Sequence, residues 1–391
     1  MPSTSNRHVS DRGTKAQVRP GARLTVAVLV SAAIVLAAPF LGQLRGLLRS
    51  AFPGYFAAIV GGTVAIAVFV ALGVALVRVR ERRGIRYSAI AVSLFIAVIY
   101  SLATRTGIPE VDSVERVNFV EYGAIAFLFY RAWRRLGNPS MLILPALAAL
   151  LVGTLDEWLQ WFIPNRVGEA RDVFLNLVAI ACGLLFGTAL EPPATFTGKM
   201  SPASRRLVST AAITMIAVFA AFVGSVHGGH LVADQGIGSF KSHYTAHELR
   251  QLSADRTARW AADPPAVLKR LSREDQYLDE GLWHLRERNE RFAAGEYDVA
   301  LLENAILESY FAPVIDTKIY AVPEISRWPA EQKADAQQRA AKRLSFVSEA
   351  EPYPILTTSK AWFWGIVLAL VFAVALWGRI GSHRSSRAQE K

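Results

Sequence analysis

The stretch Met141-Leu-Ile-Leu-Pro-Ala-Leu-Ala-Ala-Leu-Leu-Val-Gly-Thr-Leu-Asp156-Glu157-Trp-Leu-Gln160-Trp161 decides the fold of this chain. From Met141 to Leu155 it carries no charge, and the run is long enough to cross a hydrocarbon core about 30 Å thick. Its last turns break the pattern with Asp156, Glu157 and Gln160. A soluble helix would instead alternate apolar and polar faces along its length. Working outward, comparable apolar blocks occupy 24–42, 54–77, 87–103, 117–133, 173–190, 207–226 and 361–378. The expected fold is all-α: a polytopic membrane helix bundle of about eight spans. A polar insert, 227–360, precedes the last of them.

The 391 residues are 52% hydrophobic and 19% charged, with a net charge of +11. In a soluble chain that charge would point to nucleic acid. Here the basic residues fall in short runs between apolar blocks, which is the pattern that sets membrane orientation, so no nucleic-acid partner is expected. The tail 1–23 carries Arg7, Arg12, Lys15, Arg19 and Arg23, and five arginines lie between Arg78 and Arg86. Arg131, Arg134 and Arg135 follow the fourth block, Lys199, Arg205 and Arg206 the sixth, and Arg379, Arg384, Arg387 and Lys391 the eighth. With eight alternating spans these segments share one side. Both termini are then cytoplasmic in a multi-pass plasma-membrane protein, and 227–360 is extracytoplasmic. The first apolar block is longer than a secretory signal needs and is expected to be an uncleaved span. The single cysteine, Cys182, excludes an intrachain disulfide and a cysteine-based zinc site.

The organisation expected is a basic tail (1–23), two spans (24–84), a four-helix core (85–190), a loop with the seventh span (191–226), the insert (227–360), the eighth span (361–378) and a basic tail (379–391). The insert reads as all-helical. Thr245-Ala-His-Glu248 and Ser272-Arg-Glu-Asp275 have the form of helix N-termini, a hydroxyl followed three residues later by an acid. Helices are expected over about 273–294, with Asn289 at a seam position, over about 298–311, and from Pro329 to about Leu344. Glu280 and His284, four apart, are expected to pair on one helix. Of the histidines, His243 and His247 have metal-ligand spacing, but Thr245 places His243 ahead of the helix; no metal or cofactor is expected.

Ionisable groups within spans are costly and point to function. Asn118 and Glu121 share a helix face; Asp156, Glu157 and Gln160 end the fifth block; Arg166, Arg171, Asp172 and Asn176 open the sixth. Alternating spans carry all of them towards the outer face, with Glu157 roughly 10 Å below the end of its helix. Gly153, Gly183 and Gly187 continue these faces and allow close helix approach.

Over about 85–190 the chain resembles the VanZ-like family. The likeness rests on Glu121-Tyr122-Gly123, Asp156-Glu157-x-x-Gln160, Pro164-Asn165-Arg166, Arg171-Asp172, and Asn176 with Gly183. Members often carry His three residues before the Glu, where this chain has Asn118. The family is similar to a protein linked to low-level teicoplanin resistance, which implies a role in the cell envelope. It implies nothing for 227–360.

Three readings of the polar set follow. The carboxylates can pair with Arg166 and Arg171 and merely lock helix ends. They can form a ligand site, with arginines on a phosphate and carboxylates and Gln160 on hydroxyls of a lipid-linked or cell-wall molecule. Or Glu121, Glu157 and Asp172 can serve an enzyme acting on a lipid-linked substrate. The favoured reading is a non-enzymatic binder whose partners are membrane lipids and an envelope component.

Overall fold

A computed structural model describes residues 20–163, 166–263, 265, 275–319, 322, 324–340 and 346–389. Eight long helices form the bundle: α1 (Pro20–Ala51), α2 (Phe56–Arg78), α3 (Arg83–Ala103), α4 (Pro109–Trp133), α5 (Ser140–Trp161), α6 (Ala170–Leu190) and α7 (Pro202–Val226), with a further helix after the insert. Seven of the eight are long and apolar enough to cross a membrane. The remaining one, α4, carries Asp112, Glu115, Arg116, Glu121 and Arg131, yet it packs against α1, α2, α3, α5 and α6. The protein is thus a multi-pass membrane protein with lipid-facing helices. Its lipid-facing surface is visible in Phe69, Leu76, Phe95 and Leu102, all well exposed on α2 and α3.

The α4–α6 pair is set by glycine. A Cβ added at Gly183 would stand 2.2 Å from the Gly123 carbonyl oxygen and 2.6 Å from its Cα, so the two backbones touch. No larger residue fits without parting the helices. Gly187 continues the seam against Phe127 and Tyr130.

Residues 230–349 form a small domain of helices and one sheet. The helices are α8 (Ala246–Ala262), α9 (Gln276–Ala293), α10 (Tyr297–Tyr310), α11 (Ala312–Asp316) and α12 (Ala330–Arg339). The sheet comprises β1 (His230–Asp234), β2 (Gly238–Ser242) and β3 (Val347–Glu349). The insert is therefore not all-helical. β1 and β2 form an antiparallel hairpin, with His230 opposite Ser242 and Asp234 opposite Gly238. β3 joins β2 in parallel, Ser239 opposite Val347. Strands this short bury one or two residues each, Val232 and Phe240 here, and leave no readable alternation. The core gathers Trp260, Tyr277, Tyr310 and Phe311 with Val232 and Phe240. After it, α13 (Lys360–Gln389) returns along α7, where Ser209 Oγ donates to the Val374 carbonyl at 2.8 Å.

The Thr245–Glu248 capping box forms as expected. α9 is capped instead by Asp275, whose carboxylate accepts from the Tyr277 amide at 3.0 Å; Ser272, like the expected helix end near Leu344 and most of the N-terminal basic tail, lies outside the described residues. Asn289 is exposed, and the buried seam residue is its neighbour Arg288, which donates to Asn304 Oδ1 and the Ser326 carbonyl. Glu280 and His284 do not pair with each other. Glu280 accepts from Ser242 and His243, and His284 meets Glu303 at 2.7 Å, because both side chains are buried and each meets a tertiary partner in place of its i,i+4 neighbour. His247 is exposed on α8, away from His243.

Candidate functional site

The end of α5 turns Asp156, Glu157 and Gln160 into the bundle, where all three are buried. A buried carboxylate must be hydrogen-bonded. Asp156 Oδ2 accepts from the Tyr122 hydroxyl of α4 and from Gln160 Nε2, each at 2.8 Å. Gln160 Nε2 also lies 3.3 Å from Glu157 Oε1. Gln160 Oε1 accepts from Arg166 Nη2 at 2.5 Å, and Glu157 Oε2 accepts from the Glu169 amide at 3.4 Å. A chain of contacts, Tyr122–Asp156–Gln160–Arg166, therefore runs from the middle of the bundle to the loop at its end.

That loop lies on α5 because of Gly168. A Cβ there would fall 1.9 Å from the Glu157 carbonyl oxygen, so only glycine lets the 166–169 segment lie flat and bring Arg166 over Gln160. On the other side, Asn176 of α6 is buried beside Gly153, where an added Cβ would stand 3.3 Å from both Asn176 Nδ2 and Tyr122 Cε1.

Among the described residues, no arginine or lysine nitrogen lies within 4.0 Å of Glu121, Asp156, Glu157 or Asp172. Arg171 projects outward and approaches only Glu169, at 4.0 Å. Asp172 sits half-buried on the first turn of α6. Asn118 and Glu121 lie half-buried on α4, without a hydrogen bond to the cluster among the described residues. Among the described residues, two donors inside the cluster stay unused: Arg166 Nε and Asn176 Nδ2 are buried without a hydrogen-bond partner. Pro164 and Asn165 lie outside the described residues.

Of the residues singled out in the sequence, Asp156, Glu157, Gln160 and Arg166 come together, with Asn176 close by; Arg171 does not join them. Tyr122 and Gly168 were not singled out as site residues. Tyr122 stands next to Glu121, and its hydroxyl on an otherwise apolar helix face was the available signal. His227, the residue that follows α7, was likewise not singled out as a site residue. Its Nε2 accepts from the Ala170 amide at 3.0 Å and its Nδ1 donates to the Pro354 carbonyl at 3.0 Å. Trp161 Nε1 donates to the Tyr353 hydroxyl at 3.0 Å. The end of the bundle that holds the carboxylates is thus tied to the folded insert.

An apolar cavity of about 340 Å³ lies between α2, α3 and α4, with Tyr100, Ser101, Glu115 and Arg116 at its polar rim. A second, of about 350 Å³, shares Val68, Leu94, Ala97, Phe119 and Val120 with the first and extends to Phe127 and Leu190. Gly123 lies in its wall, one residue from Tyr122.

The chain matches no family model, no curated protein and no solved structure.

Proposed function

We propose that the chain is a VanZ-like membrane protein of the cell envelope. It binds a lipid-linked or cell-wall component at the outer face, through Asp156, Glu157, Gln160, Arg166 and Asn176, with Glu121 and Asp172 at the margin. The observation that carries this reading is the pair of buried donors without a partner among the described residues, Arg166 Nε and Asn176 Nδ2, next to carboxylates that form no ion pair with an arginine among those residues. A structural lock would satisfy these groups internally, since a buried donor without a partner costs about 1–3 kcal/mol. An anionic or hydroxyl-bearing ligand supplies the missing acceptors.

The same reading makes α4 the eighth span. It is enclosed by apolar helices, and most of its charges lie in its first turns. Eight crossings put Arg23, Arg78, Arg131 and Arg134 on the cytoplasmic side, together with both termini, and put the carboxylate cluster and the insert outside. Accessibility labelling of single cysteines placed at Ser50 and Ser201, in the Cys182→Ser background, checks the orientation: the first labels from outside and the second from inside.

Binding is tested with purified protein in nanodiscs and a radiolabelled polyprenyl diphosphate. Glu157→Gln and Arg166→Ala fold normally and lose binding under this reading. Normal binding by both variants removes the cluster from the site, and loss of folding in both makes it a structural lock.

A further inference from the structure

At the end of the bundle opposite the carboxylate cluster, α2 and the end of α4 direct three arginines at one acid. Glu191 follows the last turn of α6. Its Oε1 lies 2.8 Å from Arg78 Nη1 of α2, and its Oε2 lies 2.9 Å from Arg134 Nη1 and 3.3 Å from Arg131 Nε at the end of α4. Arg23 of α1 donates to the Arg131 carbonyl at 3.4 Å, and Arg135 is within electrostatic reach of Arg23. Arg86 is committed elsewhere, donating to the Ala189 and Leu190 carbonyls at the end of α6.

One carboxylate cannot neutralise this set. The buried Arg131 Nε and Glu191 Oε2 face each other at 3.3 Å as an ion pair without an aligned hydrogen bond, so neither has a hydrogen-bond partner among the described residues. The guanidinium side chains of Arg78, Arg131 and Arg134 are 53%, 37% and 27% exposed, so an incoming anion reaches them. Directly beside them ends the apolar cavity of about 350 Å³: Leu190 and Phe127 line it, and the Arg131 guanidinium stands 5.8 Å over the Phe127 ring. Arginines converge where an apolar slot meets the polar end of the bundle.

We propose that this is a site for an anionic phospholipid, with its phosphate on Arg78, Arg131 and Arg134 and one acyl chain in the slot past Phe127 and Ala124. A basic pocket between membrane helices selects anionic headgroups by charge, and the adjoining slot selects a lipid over a free anion. The site is independent of the carboxylate cluster, which lies at the other end of the bundle.

Delipidated full-length protein is incubated with equal amounts of phosphatidylglycerol and phosphatidylcholine, and bound lipid is counted by native mass spectrometry. Phosphatidylglycerol is expected to be retained at least tenfold over phosphatidylcholine. Arg131→Gln with Arg134→Gln lowers its retention roughly twentyfold. Ala124→Phe, which fills the slot and leaves the charges in place, lowers it as well. Arg82→Gln, an exposed arginine of the same face outside the cluster, leaves it within twofold. Equal retention of the two lipids by the unaltered protein overturns the proposal, and so does an equal loss in Arg82→Gln. Displacement of phosphatidylglycerol by equimolar inorganic phosphate also overturns it, in favour of a free-anion site. If the double arginine variant fails to fold, Ala124→Phe and the comparison of lipids on the unaltered protein decide.

Discussion

The Tyr122 hydroxyl reaches across the α4–α5 interface and donates to Asp156 Oδ2 at 2.8 Å, with both side chains buried. This bond and the one from Gln160 are what keep an acid tolerable inside the bundle. Tyr122→Phe removes the hydroxyl without changing the packing of the ring. It leaves Asp156 one donor short, at an expected cost of about 1–3 kcal/mol. Thermal unfolding in detergent checks this, and Asp156→Asn in the Tyr122→Phe background is expected to recover part of the loss. An unchanged midpoint in Tyr122→Phe shows the bond to be dispensable.

Gly168 gives a test of the site that alters no polar side chain. In Gly168→Ala the new Cβ meets the Glu157 carbonyl oxygen, so the 166–169 segment must lift from α5 and carry Arg166 away from Gln160. Binding of the polyprenyl diphosphate is expected to fall at least tenfold while the bundle stays folded, because the displaced segment is a connection between helices. A variant that binds normally shows that the placement of Arg166 is not set by this loop.

The glycine contact between α4 and α6 is asymmetric, and the two possible alanine variants separate accordingly. At Gly183 an added Cβ meets backbone at 2.2 Å; at Gly123 its nearest neighbour is the Ala179 carbonyl oxygen at 3.4 Å. Gly183→Ala is expected to destabilise the bundle by about 1–3 kcal/mol, the cost of overpacking a tight contact. Gly123→Ala is expected to cost well under half as much. Folded yields and thermal midpoints of the two variants, measured side by side, decide; equal effects refute the asymmetry.

What was legible in the sequence follows from the length over which each signal accumulates. A span writes itself into about twenty residues, so seven apolar helices were plain; the block at 117–133 is helical too, as α4, but its charges keep it out of those seven. The cluster at Asp156, Glu157, Gln160 and Arg166 was legible because each of them is anomalous in an apolar setting. Arg171 and Arg166 look alike in sequence, and only the turn of the loop over Gly168 separates the one that points in from the one that points out. The sheet left no trace, since β3 is three residues long and meets β2 across more than a hundred residues of chain. The pairing of Glu280 with His243, and not with His284, likewise depends on tertiary approach that no local spacing records.

The junction of insert and bundle carries two histidines in opposite protonation states, and pH separates them. His243 Nδ1 meets Glu280 Oε1 at 2.7 Å and its Nε2 meets the Val226 carbonyl at 2.9 Å, so both nitrogens donate and the ring is an imidazolium. Burial pulls its pKa down, but the Glu280 hydrogen bond and charge, with Glu351 nearby, hold it above the usual value near 6.5. His227 is the reverse. Its Nε2 accepts from the Ala170 amide, and burial, aided by the neighbouring His243 charge, holds its pKa below 6.5. The signs then follow from linkage. The His243 contribution is fully present below about 6.5 and is lost as pH rises through its raised folded value. The His227 contribution is present above about 6.5 and is lost as pH falls from there through its lowered folded value. Docking of the insert is therefore expected to be tightest near pH 6.5 and to weaken on both sides. Hydrogen exchange of the 227–243 and 353–356 amides, corrected for the intrinsic pH dependence, measures it. Glu280→Gln is expected to flatten the alkaline limb and His227→Gln the acid limb, so a profile unchanged by either variant would assign the junction to other groups.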